Sequence, residues 1–297
     1  WASTAGLNER YVAEWLGAMA TAGIVALDEE GRYALPEEHA AFLGQRAPSG
    51  TMSGMMQWIG VLAPVESEII RCFRKGGGVP YSAYPRFHEV MEEEGELTFD
   101  ADATLALVPG LKEQLEDGID VLDVGCGRGR ALRIYAERFP NSRFTGYDLS
   151  NEAIGIARDR ARGIANLDFE VLDCMKMSDE AAFDLVFTFD AIHDQPDPAL
   201  LLRNIRRATR PSGVYIGQDI WAHSRTRDNL GHPLAPFIYT ISLMHCMTVS
   251  LAQGGVGLGA AWGEEQAHDL ISAAGFSSIA MRRLDHDIQN AYYVCRP

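Results

Sequence analysis

The 297-residue chain carries a formal charge of −15, with 47% apolar and 23% charged residues. That apolar share builds a folded core and excludes disordered and fibrous classes. The acidic balance argues against a nucleic-acid partner, whose phosphates are held by Lys and Arg releasing counterions; a catalytic domain with a smaller unit is the expectation.

Trp1 begins mid-pattern, as though an earlier helix were missing, and no charged stretch ahead of an apolar core announces a signal peptide. Asn8 stands where a helix cap belongs, before Tyr11, Val12, Trp15, Leu16 and Met19 at helical spacing, and Gly23 closes the run. The segment IVALDEEGRYALP then reads as two short strands around a Glu-Gly turn. Helix plus hairpin predicts a winged-helix-like unit over residues 1–46. Such units often bind DNA, but three Arg and no Lys stand there against seven Asp or Glu. A structural or dimerising role fits better.

Residues 47–116 read as a helical linker and possible dimerisation region, broken by Gly76-Gly77-Gly78, Pro80 and Pro85. Tyr81, Tyr84, Phe87 and His88 follow that hinge, either as a lid or as an aromatic turn that merely packs. The acidic run from Glu89 to Glu96 reads as a solvated helix face.

From residue 117 to 297 the rhythm becomes strand, helix, strand. Strands are predicted at 121–125, 143–148, 167–173, 183–190, 213–220, 279–284 and 292–296, with helical patterns in the first four gaps. The fold class is α/β, a largely parallel sheet covered on both faces. In such sheets the ligand lies beyond the carboxyl ends of the strands. The sequence places there the run Asp123-Val124-Gly125-Cys126-Gly127-Arg128-Gly129 and three strand-ending acids, Asp148, Asp173 and Asp190. A dinucleotide fingerprint read from Gly125 needs glycine at position 130, where Arg130 stands, so NAD and a nicotinamide oxidoreductase become the weaker reading. Asp148, about twenty residues past the loop, is placed to accept two ribose hydroxyls, and Cys174 and Met175 after Asp173 suit an adenine edge and face.

Together these residues resemble the class I S-adenosylmethionine-dependent methyltransferases, with a Rossmann-like sheet of seven strands whose last is antiparallel. The resemblance implies S-adenosyl-L-methionine as cofactor and S-adenosyl-L-homocysteine as product. It implies that Asp123, Gly125, Cys126, Gly127 and Gly129 hold the methionine part, Asp148 and Leu149 the ribose, and Asp173, Cys174 and Met175 the adenine, with Phe189 and Asp190 bordering the methyl-transfer space. The whole layout is similar to dimeric small-molecule O-methyltransferases. A bacterial winged-helix group, some of whose members are labelled transcriptional regulators, shares the look of GLNERYVAEWL, YPRFHEVM and FDAIHDQPDP.

In those enzymes a histidine in an H-D-x-x-D segment after the fourth strand is the general base. His193-Asp194-Gln195-Pro196-Asp197 has that form, and imidazole suits the removal of a hydroxyl proton near neutrality. The carboxylate that orients the imidazole finds no match after the fifth strand. The charge-free span Asn229 to Gly263 falls where the acceptor pocket is commonly built, and His232, Tyr239, His245 and Cys246 are its polar members. It is too broken by glycine and proline for a bilayer helix, so no membrane partner is expected. The spacings of His223, His232, His245 and Asp219 match no familiar metal site, and methyl transfer needs no metal. Five scattered cysteines without a C-x-x-C pair read as free thiols of a cytoplasmic protein. The expected partners are a small-molecule methyl acceptor and a second copy of the chain.

Overall fold

Asn8 opens the first helix as its position dictates: its side chain accepts the Arg10 amide at 3.0 Å, starting α1 (Glu9–Thr21). In the computed structural model, which describes residues 2–44 and 52–297, the chain leaves α1 through Gly23 at φ +71°. It then forms the antiparallel pair β1 (Ala26–Leu27) and β2 (Tyr33–Ala34). The Asp28 carboxylate accepts the Glu30 and Arg32 amides across the turn, and α2 (Glu37–Leu43) follows. Helix and hairpin stand where the sequence predicts them. The expected boundary at residues 46 and 47, like Trp1, lies outside the described residues.

Two compact units divide the chain, Trp1–Trp58 and Ile59–Pro297. After α3 (Met52–Leu62) come α4 (Glu66–Lys75), α5 (Phe87–Thr98), α6 (Ala101–Ala106) and α7 (Leu111–Asp117). The acidic face of α5 is not simply solvated. Glu92, only 15% exposed, pairs with Arg128 of the glycine loop and with Arg160, and Glu96 lies 3.6 Å from Arg130. Charge periodicity along one helix could not reveal that these arginines fold against it.

The sheet is built from β3 (Asp120–Val124), β4 (Arg143–Asp148), β5 (Leu167–Val171), β6 (Phe183–Phe189), β7 (Thr209–Ile220), β8 (Ser278–Arg282) and β9 (Asn290–Arg296). Their order is β5-β4-β3-β6-β7-β9-β8, parallel except that β9 runs antiparallel between β7 and β8. Strand β7 starts at Thr209 rather than at 213. Pro211-Ser212-Gly213 reads as a turn, but the structure absorbs it as an irregularity in the pairing with β6.

Helices α8 (Arg130–Arg138), α9 (Asn151–Arg160), α10 (Pro198–Ala208), α11 (Ala235–Met244), α12 (Cys246–Ala252) and α13 (Gly263–Ala273) complete the unit. Alternation along the strands feeds two cores. Val121, Leu185, Phe187, Val214 and Ile216 pack with Leu132, Tyr135 and Ile154 on one face. Leu122, Val124, Val186 and Tyr215 pack with Leu201, Ile205 and Ile271 on the other. Ala235–Ala252 is the only stretch among the described residues long and apolar enough to cross a membrane. It breaks at His245, whose backbone leaves the helical region (φ −136°, ψ −79°), and it belongs to this unit.

Glycines 129 and 155 separate backbone constraint from propensity. Gly129 caps α8 at φ +72°, and a Cβ there would strike the Phe169 ring, whereas Gly155 within α9 has open space around it. Gly129→Ala should destabilise the chain by at least ~1–2 kcal/mol, and Gly155→Ala should stabilise it by ~0.5–1 kcal/mol. Urea unfolding of both variants checks the opposite signs.

Candidate active site

Strand order reverses on either side of β3, so the crevice for a ligand opens where β3 and β6 end. Gly125 leaves β3 at φ +81°, so close to Ala191 that a Cβ would meet the alanine methyl at 2.6 Å. Gly127 (φ +53°) has nothing within 4 Å of a built Cβ. The loop is thus pinned at Gly125 and Gly129 and leaves room over Gly127. The Gly127 amide donates to Asp148 Oδ2 at 2.9 Å, and the Ser150 amide donates to Oδ1 at 2.8 Å. Asp148 therefore already ties the end of β4 to the loop, with Leu149 exposed beside it.

Asp123 lies at the base of the loop, 2% exposed, and its Oδ1 has no hydrogen-bond partner. Burial, reinforced by Asp148, raises its pKa to about 8. Asp190, at the end of β6, is held in the left-handed region (φ 51°). Gln218 donates to its Oδ2 at 3.1 Å, while the buried Oδ1 finds no donor. Burial, then Asp219, pushes the Asp190 pKa well up. Two shielded carboxylate oxygens without donors fit a ligand that brings positive charge and N–H groups.

The other predicted cofactor residues have local roles too. Asp173 accepts the Met175 amide at 3.0 Å and pairs with Lys176 at 2.9 Å. Asn204 Nδ2 donates to the carbonyls of Cys174 and Met175, both at 3.1 Å. The Phe189 ring meets Phe99 edge-on at 5.5 Å and stacks on Phe187 at 5.4 Å.

His193, 3% exposed, is the centre of the polar network. Its Nδ1 lies 2.6 Å from Asp219 Oδ1, an oxygen that also accepts from Trp262 Nε1 at 3.0 Å and the Ile220 amide at 2.8 Å. Nε2 lies 3.2 Å from Asp194 Oδ1. Burial alone would lower the ring's pKa; Asp219 and then Asp194 outweigh it and carry the pKa well above the ordinary histidine value. The carboxylate beside the imidazole, which the sequence could not place, is Asp219, inside β7. Its sequence signal is the GQDI end of that strand, a strand-ending acid like Asp190.

The aromatic segment divides between two sites. Tyr81 donates its hydroxyl to Asp194 Oδ2 at 2.6 Å, and Tyr84 donates to the Met244 carbonyl at 2.6 Å. Phe87 stacks on His245 at 4.1 Å, and His245 Nδ1 lies 3.9 Å from Asp194 Oδ2. Burial lowers the His245 pKa to about 4. His88, its pKa also lowered by burial, feels Asp148 and Glu152 on the loop side. His232 packs on Trp221 at 4.4 Å, and Tyr239 accepts from Asn229, the first residue of the charge-free span, at 3.1 Å.

A family model described as a methyltransferase domain matches residues 115–252. One described as a Rv2258c-like winged HTH domain matches residues 1–45. Among curated proteins, the trans-aconitate 2-methyltransferase of an Azoarcus species is 34% identical over 119 residues, 40% of this chain and 44% of that protein. The fatty-acid O-methyltransferase of Mycolicibacterium smegmatis is 32% identical over 104 residues, 35% of this chain and 38% of that protein. The chain thus spans less than half the length of these relatives. Among solved structures, an O-methyltransferase candidate from Nostoc punctiforme superposes with TM-score 0.72 at 21% identity, covering 99% of this chain and 87% of that one. Human N-acetylserotonin methyltransferase in complex with SAM gives TM-score 0.70 at 17% identity, covering 99% and 85%. The fold is that of the class I S-adenosylmethionine-dependent methyltransferases, joined to an N-terminal winged helix.

Proposed function

We propose, from the premise that residues 115–252 are a methyltransferase domain, that the chain transfers a methyl group from S-adenosyl-L-methionine to an oxygen, sulfur or nitrogen of a small molecule. One observation carries this reading: a buried His193–Asp219 pair stands at the same sheet edge as the unpartnered carboxylate oxygens of Asp123 and Asp190. The cofactor's ammonium and sulfonium groups are the cations those acids lack. Asp123 and the Gly125–Gly129 loop would hold its amino-acid part, Asp148 its ribose, and Asp173, Cys174 and Met175 its adenine.

When bound, S-adenosylmethionine supplies a methyl group already activated by a positively charged sulfur. The chain's part is to position and to move one proton. Asp219, fixed by Trp262 and the Ile220 amide, takes the Nδ1–H of His193 and leaves the Nε2 lone pair for the acceptor. When the methyl carbon leaves the sulfonium for the acceptor heteroatom, releasing a neutral thioether, Nε2 would receive the heteroatom's proton and Asp219 would stabilise the imidazolium. Tyr81 and Tyr84 close the entry side, excluding water and aligning the in-line geometry.

The unit of residues 1–46 supports self-association better than DNA binding: Leu7 (60% exposed), Tyr11 (79%) and Phe42 (60%) present apolar surface on a domain short of cations. We place the homodimer in the cytoplasm, where its five free cysteines stay reduced. A second reading, a methyltransferase-like transcriptional regulator, draws on the winged HTH match. Light scattering with and without duplex DNA separates the two. A dimer mass unchanged by DNA at low salt is expected; a salt-sensitive DNA complex favours the regulator.

His193→Ala should lower turnover at least about tenfold at saturating cofactor, with cofactor affinity kept. Because the flanking carboxylates raise the His193 pKa, the neutral ring is populated as pH rises, so the rate should climb into the alkaline range. Asp219→Asn should move that climb to lower pH. S-adenosylhomocysteine release across pH checks both, and a full rate in His193→Ala sinks the base assignment.

Asp123 couples cofactor binding to protons. With its pKa near 8, it is largely protonated at pH 7, and a cation beside it favours the ionised form. Cofactor affinity should rise with pH towards 8 with proton release, seen as buffer-dependent binding heats in calorimetry. Asp123→Asn should abolish the dependence.

A further inference from the structure

We infer that His193 Nε2, Asp194 and Cys246 form a binding site for a thiophilic divalent cation of the zinc type. One ligand atom from each lies within 4.8 Å of the other two, and the residues are 3%, 6% and 7% exposed. Two turns of chain bring them together: His193 and Asp194 follow β6, and Cys246 is the first residue of α12 after the break at His245.

Donor type and spacing both fit. Tetrahedral zinc with bonds of about 2.0 Å to nitrogen or oxygen and 2.3 Å to sulfur sets its ligand atoms roughly 3.3–3.6 Å apart, and His193 Nε2 stands 3.2 Å from Asp194 Oδ1. Asp194 is split in the required way. Tyr81 engages Oδ2 at 2.6 Å, while Oδ1, shielded from solvent, has no hydrogen-bond donor. A thiol and an imidazole beside one carboxylate select zinc or cobalt over magnesium or calcium, which want oxygen shells.

The surroundings supply what such a site needs beyond its ligands. A metal-bound histidine donates its other ring N–H to a carboxylate, which fixes the ring and raises its basicity. His193 Nδ1 has that partner in Asp219, itself anchored by Trp262 Nε1 at 3.0 Å. Three protein ligands leave a fourth position open, with His245 Nδ1 nearby, 3.9 Å from Asp194 Oδ2. The ion displaces the thiol proton of Cys246 and the proton on Nε2, and both leave to solvent.

One consequence rests on the methyltransferase reading. The Nε2 lone pair cannot hold both the ion and the acceptor's proton, so the loaded chain loses its base while the cofactor loop is untouched. Zinc then acts as a reversible brake on turnover.

The test uses the full chain, freed of metal by chelator dialysis and titrated with Co²⁺. Expected are one ion per chain and a near-ultraviolet thiolate-to-cobalt band. Cys246→Ser should abolish the band, Asp219→Asn should weaken uptake about tenfold, and Cys72→Ser, on α4, should change neither. S-adenosylmethionine calorimetry on each variant reports that the fold is intact. Lack of stoichiometric uptake by the wild-type chain, or a band that survives in Cys246→Ser, overturns the inference. If metal binds as expected but S-adenosylmethionine does not, the methyltransferase reading fails and the ion site stands.

Discussion

The structure depends on keeping acid groups out of water at one edge of its sheet. Asp123, Asp194 and Asp219 are 2%, 6% and 2% exposed, and Asp190 turns an oxygen into the same interior. Burying an ionised carboxylate costs several kcal/mol unless donors or cations compensate. His193 serves two of the four, and neutral donors reach one oxygen each of Asp219, Asp194 and Asp190, from Trp262, Tyr81 and Gln218. Asp123, with a pKa near 8, keeps a proton, and burial pushes the Asp190 pKa well up too. A site so short of positive charge favours a cationic ligand over an anionic one, which fits a sulfonium better than a pyrophosphate.

The fold makes that arrangement possible by putting rigidity at the strand ends. Gly125 lets the chain pass over Ala191, and Gly129 starts α8 against the Phe169 ring. Between them the loop is fastened to β4 through Asp148. Helix α5 then braces the same loop by way of Glu92 and Arg128. The segment from Val79 to Phe87 is tied to α11 and α12, through the Val79 amide on Thr248 and the Tyr84 hydroxyl on the Met244 carbonyl. The glycine loop and the Val79–Phe87 segment therefore meet in α5, which begins at Phe87 and carries Glu92.

Strands were legible in the sequence because the central ones, buried on both faces, read as short apolar runs between turn residues, and the glycine loop because positive φ admits little else. Asp148 ends β4 as its position predicts, whereas β5 stops at Val171, short of the predicted 173, and Asp173 caps the turn that follows. Asp219 has the signature of Asp148, yet its role depends on β7 lying beside β6, a register that no local pattern encodes. The same limit hid the pairing of α5 with Arg128 and Arg160. His232 and Tyr239 contact Trp221 and Asn229, partners that no periodicity names. Periodicity reports which face is buried, not what covers it.

The two carboxylates on His193 are not equivalent, and the difference gives each a task. Asp219 has its Oδ1 saturated by the ring, Trp262 and the Ile220 amide, which fix it in place, while its buried Oδ2, like Asp194 Oδ1, has no hydrogen-bond donor. Asp194 is held from the lid side by Tyr81, and its other oxygen lacks a donor. Any movement of the Tyr81 segment therefore moves Asp194 relative to Nε2, while Nδ1 stays anchored. The imidazole is where the sheet, through Asp219, meets the Tyr81 segment, through Asp194.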